Sequence, residues 1–167
     1  MNYIMIRTDD MLNGSGLRVV LFCTACDHYC KNCHNPETWQ ASNGALFDDK
    51  AKKEIFEELD KDYISGITLS GGDPLNINNR FEIRNFCEEI KNKYPSKTIW
   101  LYTGYTWEEI SHSRELMKTI LNVDVLVDGK FIEEKLDANY PWAGSTNQRV
   151  IDVKKSLEQN QIVLWTE

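Results

Sequence analysis

Short apolar, β-branched runs alternate with amphipathic stretches along most of this 167-residue chain, and that alternation limits the possible folds more than any other feature. Residues 3–6 (Tyr-Ile-Met-Ile) and 17–22 (Leu-Arg-Val-Val-Leu-Phe) read as strands, separated by the turn Asn13-Gly14-Ser15-Gly16. Residues 48–60 read as a helix with Ile55, Phe56 and Leu59 on one face and Asp48 or Asp49 as its cap. Residues 64–69 read as a buried strand ending in Ser70-Gly71-Gly72-Asp73-Pro74, and 79–93 as a helix carrying Ile83, Phe86, Cys87 and Ile90 on one stripe. A strand at 98–102, the loop Thr103-Gly104-Tyr105, helical stretches near 106–111 and 113–121, and a strand at 123–127 ending at Asp128-Gly129 follow. Two more short strands are expected in the tail, at 148–153 and 161–165.

Strand–helix alternation predicts an α/β fold of right-handed βαβ units with mainly parallel strands. The helices are too few for a closed eight-unit barrel, which takes about 250 residues. The expectation is therefore an open partial (βα) barrel forming one domain over residues 1–167. In such sheets ligands gather at the carboxyl ends of the strands. The Gly-Gly-Asp loop, the Thr-Gly-Tyr loop and Asp128-Gly129 each follow an expected strand, so a parallel sheet would bring them to one rim.

Composition narrows the function. Nineteen Lys and Arg against 26 Asp and Glu give a net charge of −7, which argues against a nucleic-acid or membrane-surface partner, both of which need a basic face. No run reaches the ~18 apolar residues of a membrane span. Met1-Asn2-Tyr3-Ile4-Met5-Ile6-Arg7 shows no basic head followed by a long apolar stretch, so no signal peptide is read and a cytoplasmic location is expected.

Four of the five cysteines, Cys23, Cys26, Cys30 and Cys33, also follow an expected strand and fall within eleven residues. In a reducing compartment such clustering points to metal binding or catalysis rather than to disulfides. Cys26, Cys30 and Cys33 form C-x3-C-x2-C, a loop of thiolates able to fold around one soft metal centre, zinc or iron–sulfur. Three ligands leave one position open, as catalytic metal sites do. If Cys23 joins them, the set becomes that of a zinc-stabilised binding module or of a closed electron-carrying cluster. His28 and His34 flank the thiols as loop residues or supporting donors, and Cys87 reads as core.

The C-x3-C-x2-C run after an early strand resembles the radical S-adenosylmethionine enzymes. More narrowly, the chain is similar to the family that activates anaerobic ribonucleoside-triphosphate reductase. The resemblance runs through Cys26 to Asn35, Leu69 to Leu75, Trp100 to Tyr105, Asp124 to Gly129 and Gly144 to Arg149. Asn32 stands where the superfamily often has an aromatic residue, and Ala143 where an arginine is common. The resemblance implies a partial barrel of the radical S-adenosylmethionine type. It implies a 4Fe–4S cluster on Cys26, Cys30 and Cys33 that cleaves S-adenosylmethionine reductively into methionine and a 5′-deoxyadenosyl radical. That radical would take hydrogen from a glycine of the reductase, with a flavodoxin-type protein as electron donor. Gly71 and Gly72 would let backbone approach the methionyl group, and Asp73 would accept from its amine. The backbone of Asn32, Cys33 and His34 would meet the adenine edge. Thr103 and Asp128 are candidates for the ribose and the carboxylate side. A sister activity on another glycyl radical enzyme, such as pyruvate formate-lyase, stays open at this point.

Overall fold

Seven strands form one sheet in the computed structural model, which describes residues 1–166; Glu167, the last residue of the expected domain, lies outside the described residues. The strands are β1 (Asn2–Asp10), β2 (Arg18–Cys23), β3 (Ala45–Leu46), β4 (Gly66–Gly71), β5 (Thr98–Tyr102), β6 (Val125–Asp128) and β7 (Arg149–Asp152), in the order β3-β1-β2-β4-β5-β6-β7. The helices are α1 (Asp49–Leu59), α2 (Arg80–Lys93), α3 (Trp107–Ser111), α4 (Arg114–Ile120) and α5 (Val153–Gln159).

Parallel pairing is confined to the middle. β2–β4, β4–β5 and β5–β6 are parallel, whereas β1–β2, β1–β3 and β6–β7 are antiparallel. The connections explain this. Each parallel pair is bridged by a crossover containing a helix, which returns the chain to the same end of the sheet. A tight turn joins β1 to β2 and forces them to run oppositely. Between β6 and β7 there is no α-helix, only a 3-10 turn at Glu133–Lys135, and β7 comes back antiparallel.

The helix termini follow from local chemistry. Asp48 caps α1 by accepting from the Ala51 amide at 3.0 Å, and Thr106 with Glu109 forms a reciprocal capping box on α3. The tail corrects one expectation. Where a strand was expected at 161–165, only one bridge, Ile151 to Leu164, forms. The preceding residues coil into α5 instead, capped by Asp152 on the Lys155 amide and closed by Asn160 in the left-handed region at φ 50°.

Alternation in the central strands sorts their side chains to two faces. Val19, Leu21, Ile67, Leu69, Ile99, Leu101 and Leu126 share one face, where they pack beneath the helices against Ile55, Leu59, Ile83, Phe86 and Ile90. Register aligns Leu21, Leu69, Leu101 and Leu126 in one row across four strands. Among the described residues no helix covers the other face: Trp100, Val125 and Val127 pack there against Trp142 and Trp165. The four parallel strands end at Cys23, Gly71, Tyr102 and Asp128, and the loops that follow them gather at one rim. Among the described residues no helix is long and apolar enough to cross a membrane.

Candidate active site at the strand ends

Beyond β2 the chain turns out of the sheet through a loop with three non-glycine residues at positive φ: Ala25 at 71°, Tyr29 at 48° and Asn32 at 54°. Such residues cost on the order of 1–3 kcal/mol each and persist only where their surroundings hold them. The holds are visible. The Cys26 amide donates to Trp39 O at 3.0 Å. Asn76 Nδ2 donates to Asp27 at 2.8 Å. His28 Nε2 lies 2.5 Å from the Asp73 carboxylate. Lys31 pairs with Glu133 at 2.7 Å, and Asn32 Nδ2 donates to the same carboxylate.

This loop forms one wall of a cavity of about 640 Å³, within the usual range for small-molecule sites. Cys26, Cys30 and Cys33 all line it, and its wall includes Lys130 and two histidines but no carboxylate. The Cys33 sulfur accepts the Asn35 amide at 3.4 Å. Burial pushes the Cys26 thiol up to about 11 and raises that of Cys30, while the His28 and Phe131 amides pull the other way. Donors aimed at sulfur favour the thiolate, the form that binds metal. Among the described residues no three His, Cys, Asp or Glu side chains are gathered tightly enough to hold a single metal ion. The three cysteines thus share a cavity wall rather than one ion's coordination sphere.

Cys23 is set apart. It is buried at the end of β2, its thiol donating to Ser70 O at 3.2 Å and accepting from Asn79 Nδ2 at 3.6 Å, and it is not on the cavity wall. Cys87 is core on α2, where burial pushes its thiol up to about 12.

His34, Gly71, Gly72 and Thr103 also line the cavity. The glycines are also needed for packing within the chain. Gly71 sits at φ +96°, and a Cβ there would lie 2.6 Å from Cys23 O; on Gly72 it would lie 2.7 Å from Ala25 O. The space a side chain would take is filled by the exit of β2, so these glycines seat the cysteine loop's base against β4.

Three expected site residues turn away from the cavity. Asp73 is 1% exposed, and its carboxylate accepts from the Leu75 amide at 2.8 Å, the Thr103 hydroxyl at 2.9 Å and the Gly104 amide at 3.2 Å, besides meeting His28. Asp128 is fully buried and accepts from the Trp107 amide at 2.7 Å and from Arg149 Nε at 3.0 Å. Asn32 is held on Glu133. All three side chains thus bind the chain itself, which for Asn32 leaves the expected backbone contact untouched.

A further stretch of the wall was not anticipated. Gly129–Phe131 and Ala138–Gly144 also line the cavity, the Phe131 ring lying 5.4 Å from that of His34 on the cysteine loop. Gln148 organises this irregular segment, accepting from the Gly144 amide at 3.0 Å and donating to Gly129 O at 2.9 Å. Tyr140, Pro141 and Trp142 line this stretch. The Trp142 ring packs edge-on against Trp100 with centroids 5.8 Å apart.

Residues 12–151 match the family described as a 4Fe-4S single cluster domain. The anaerobic ribonucleoside-triphosphate reductase-activating protein of Enterobacteria phage T4 is 47% identical over 150 residues, covering 90% of this chain and 93% of that protein. The protein of the same name from Haemophilus influenzae is 41% identical over 150 residues, covering 89% and 96%. That from Escherichia coli (strain K12) is 38% identical over 152 residues, covering 90% and 97%.

Proposed function

Because the chain belongs to the family of anaerobic ribonucleoside-triphosphate reductase-activating proteins, we propose that Cys26, Cys30 and Cys33 hold its 4Fe–4S cluster and that the cavity beside them takes S-adenosylmethionine. The protein is an activating enzyme, and the reductase is its protein substrate. The observation that carries the site reading is that three cysteines from one loop line a single cavity whose described wall has no carboxylate. A cluster held by three thiolates is anionic, and such a wall does not repel it.

When bound, the cluster and S-adenosylmethionine supply a one-electron reductive cleavage that ends in a glycyl radical on the reductase. The chain's own residues bind and orient. Cys26, Cys30 and Cys33 are the cluster thiolates, with the His28, Phe131 and Asn35 amides stabilising their charge. The Gly71–Gly72 backbone faces the methionyl end, the Cys33–His34 backbone the adenine, and Thr103 the ribose. Asp73 and Asp128 serve by fixing the strand-end loops, not by touching the ligand. Phe131 and Trp142 on the cavity wall exclude water from the reacting groups. The four parallel strands and their helices are read as an open partial barrel of the radical S-adenosylmethionine type. A flavodoxin-type electron donor and a cytoplasmic location complete this reading.

Anaerobic reconstitution followed by electron paramagnetic resonance tests it. Incubated with a reductant, S-adenosylmethionine and the reductase, the protein is expected to raise a glycyl radical signal on the reductase. A cluster-loaded protein that raises none would overturn the reading. Cys23→Ser is expected to keep its iron, its sulfide and S-adenosylmethionine cleavage, because the hydroxyl still donates to Ser70 O and Cys23 faces away from the cavity. Loss of half the iron in that variant would make Cys23 a ligand.

A further inference from the structure

We propose that His28 is a positioning residue that clamps the Cys26–Cys33 loop onto the turns after β4 and β5, so that the thiols are set against the Gly71–Gly72 wall before any cluster arrives. The proposal rests on the reading above that this loop receives the cluster.

His28 lies between two of those thiols in sequence, and its ring, at the edge of the cavity wall, is largely buried, with 11% of its side chain exposed. Nε2 meets Asp73, whose carboxylate also gathers the Thr103 hydroxyl and the Gly104 and Leu75 amides. One buried carboxylate therefore ties together the cysteine loop, the turn after β4 and the turn after β5. The ring packs edge-on against Tyr105, with centroids 4.8 Å apart. Gly104 forms its seat: a Cβ there would lie 2.3 Å from His28 Cδ2.

The loop needs such a hold. Tyr29, the next residue, is at positive φ, as are Ala25 and Asn32. Of the other side-chain tethers, Lys31 and Asn32 on Glu133 are solvent-exposed, where screening weakens them, and Asn76 holds Asp27, itself exposed, at 2.8 Å. The His28–Asp73 contact is the most buried of these, and buried polar contacts are costly to break.

The test compares wild type, His28→Phe, which keeps the ring shape without a donor, and His28→Gln, whose amide reaches Asp73 with a donor at similar length. In the full chain without iron, hydrogen–deuterium exchange of the 27–33 amides is expected to quicken about tenfold in His28→Phe and to stay within about twofold of wild type in His28→Gln, with β4 and α2 unchanged. Gly104→Ala displaces the ring from its seat and is expected to copy His28→Phe. After anaerobic reconstitution, S-adenosylmethionine is expected to shift the reduced-cluster resonance of wild type and His28→Gln but not of His28→Phe. A His28→Phe loop that exchanges like wild type, or a His28→Gln loop as fast as His28→Phe, overturns the clamp. Should wild type bind no cluster, the site reading fails while the exchange data still decide the clamp.

Discussion

Replacing Cys30 by serine is expected to give a folded protein with no stable 4Fe–4S cluster and with reductase activation reduced about a thousandfold or more, since metal binding needs every thiolate of a minimal set. The expectation follows from where the residue sits. Cys30 is part-exposed on a loop outside the sheet, and its sulfur faces the cavity and the Phe131 amide. It contributes nothing to either hydrophobic core, so unfolding free energy should change by less than about 0.5 kcal/mol. Cys23→Ser is the mirror case, being buried in the β2 end and away from the cavity. It should lower stability by about 1 kcal/mol and spare the cluster. Iron and sulfide analysis set beside thermal unfolding separates the two variants. A Cys30→Ser protein with a full iron complement, or equal iron loss in both, would show that the ligand set has been drawn wrongly.

The contrast between these cysteines shows what a sequence makes legible. Spacing alone identified the C-x3-C-x2-C loop, and the helices at 48–60 and 79–93 were readable because their apolar stripes recur with helical period; the structure has them at Asp49–Leu59 and Arg80–Lys93. Asp73 and Asp128 were readable as strand-end residues, but the direction of their carboxylates was not. Thr103 and Gly104 claim Asp73 from some 30 residues away, and Arg149 claims Asp128 from 21. A local pattern holds no trace of such partners. The same holds for the further stretch of cavity wall, where Tyr140–Gly144 follows no period and is shaped by single bonds to Gln148 and by Tyr102 donating to Trp142 O. Helix α5 did leave signals, Asp152 as cap and Asn160 as left-handed stop, but seven residues show too little periodicity to outweigh the β-branched run before them.

Arg18→Ala should be the most destabilising single change outside the cysteine loop, about 4 kcal/mol, because it leaves several buried acceptors unpaired and opens a void. In sequence Arg18 sits unremarked in an apolar strand. In the fold it is fully buried on the sheet face without helices. Its Nε donates to Thr68 Oγ1 at 2.9 Å, Nη1 to Ser15 O at 3.0 Å and Thr98 Oγ1 at 2.9 Å, and Nη2 to Ile67 O at 2.7 Å and Thr98 O at 2.8 Å. The guanidinium also lies 5.5 Å from the Trp100 ring centroid. Burial lowers its pKa to about 10, so it stays cationic at neutral pH. Carbonyl and hydroxyl dipoles and the Trp100 ring therefore take the place of a counter-ion around a buried charge. Lysine cannot replace the planar fork, having a single nitrogen for five acceptor contacts, and Arg18→Lys should lose about 2 kcal/mol. The site feels this too. Thr68 relays from Arg18 to Asn13 O at 2.6 Å, and Asn13 with Met11 and Leu12 forms part of the cavity wall. Urea unfolding should show a lower midpoint at unchanged slope, and S-adenosylmethionine should bind Arg18→Lys more weakly than wild type. An Arg18→Ala midpoint equal to wild type would mean that the guanidinium only fills space.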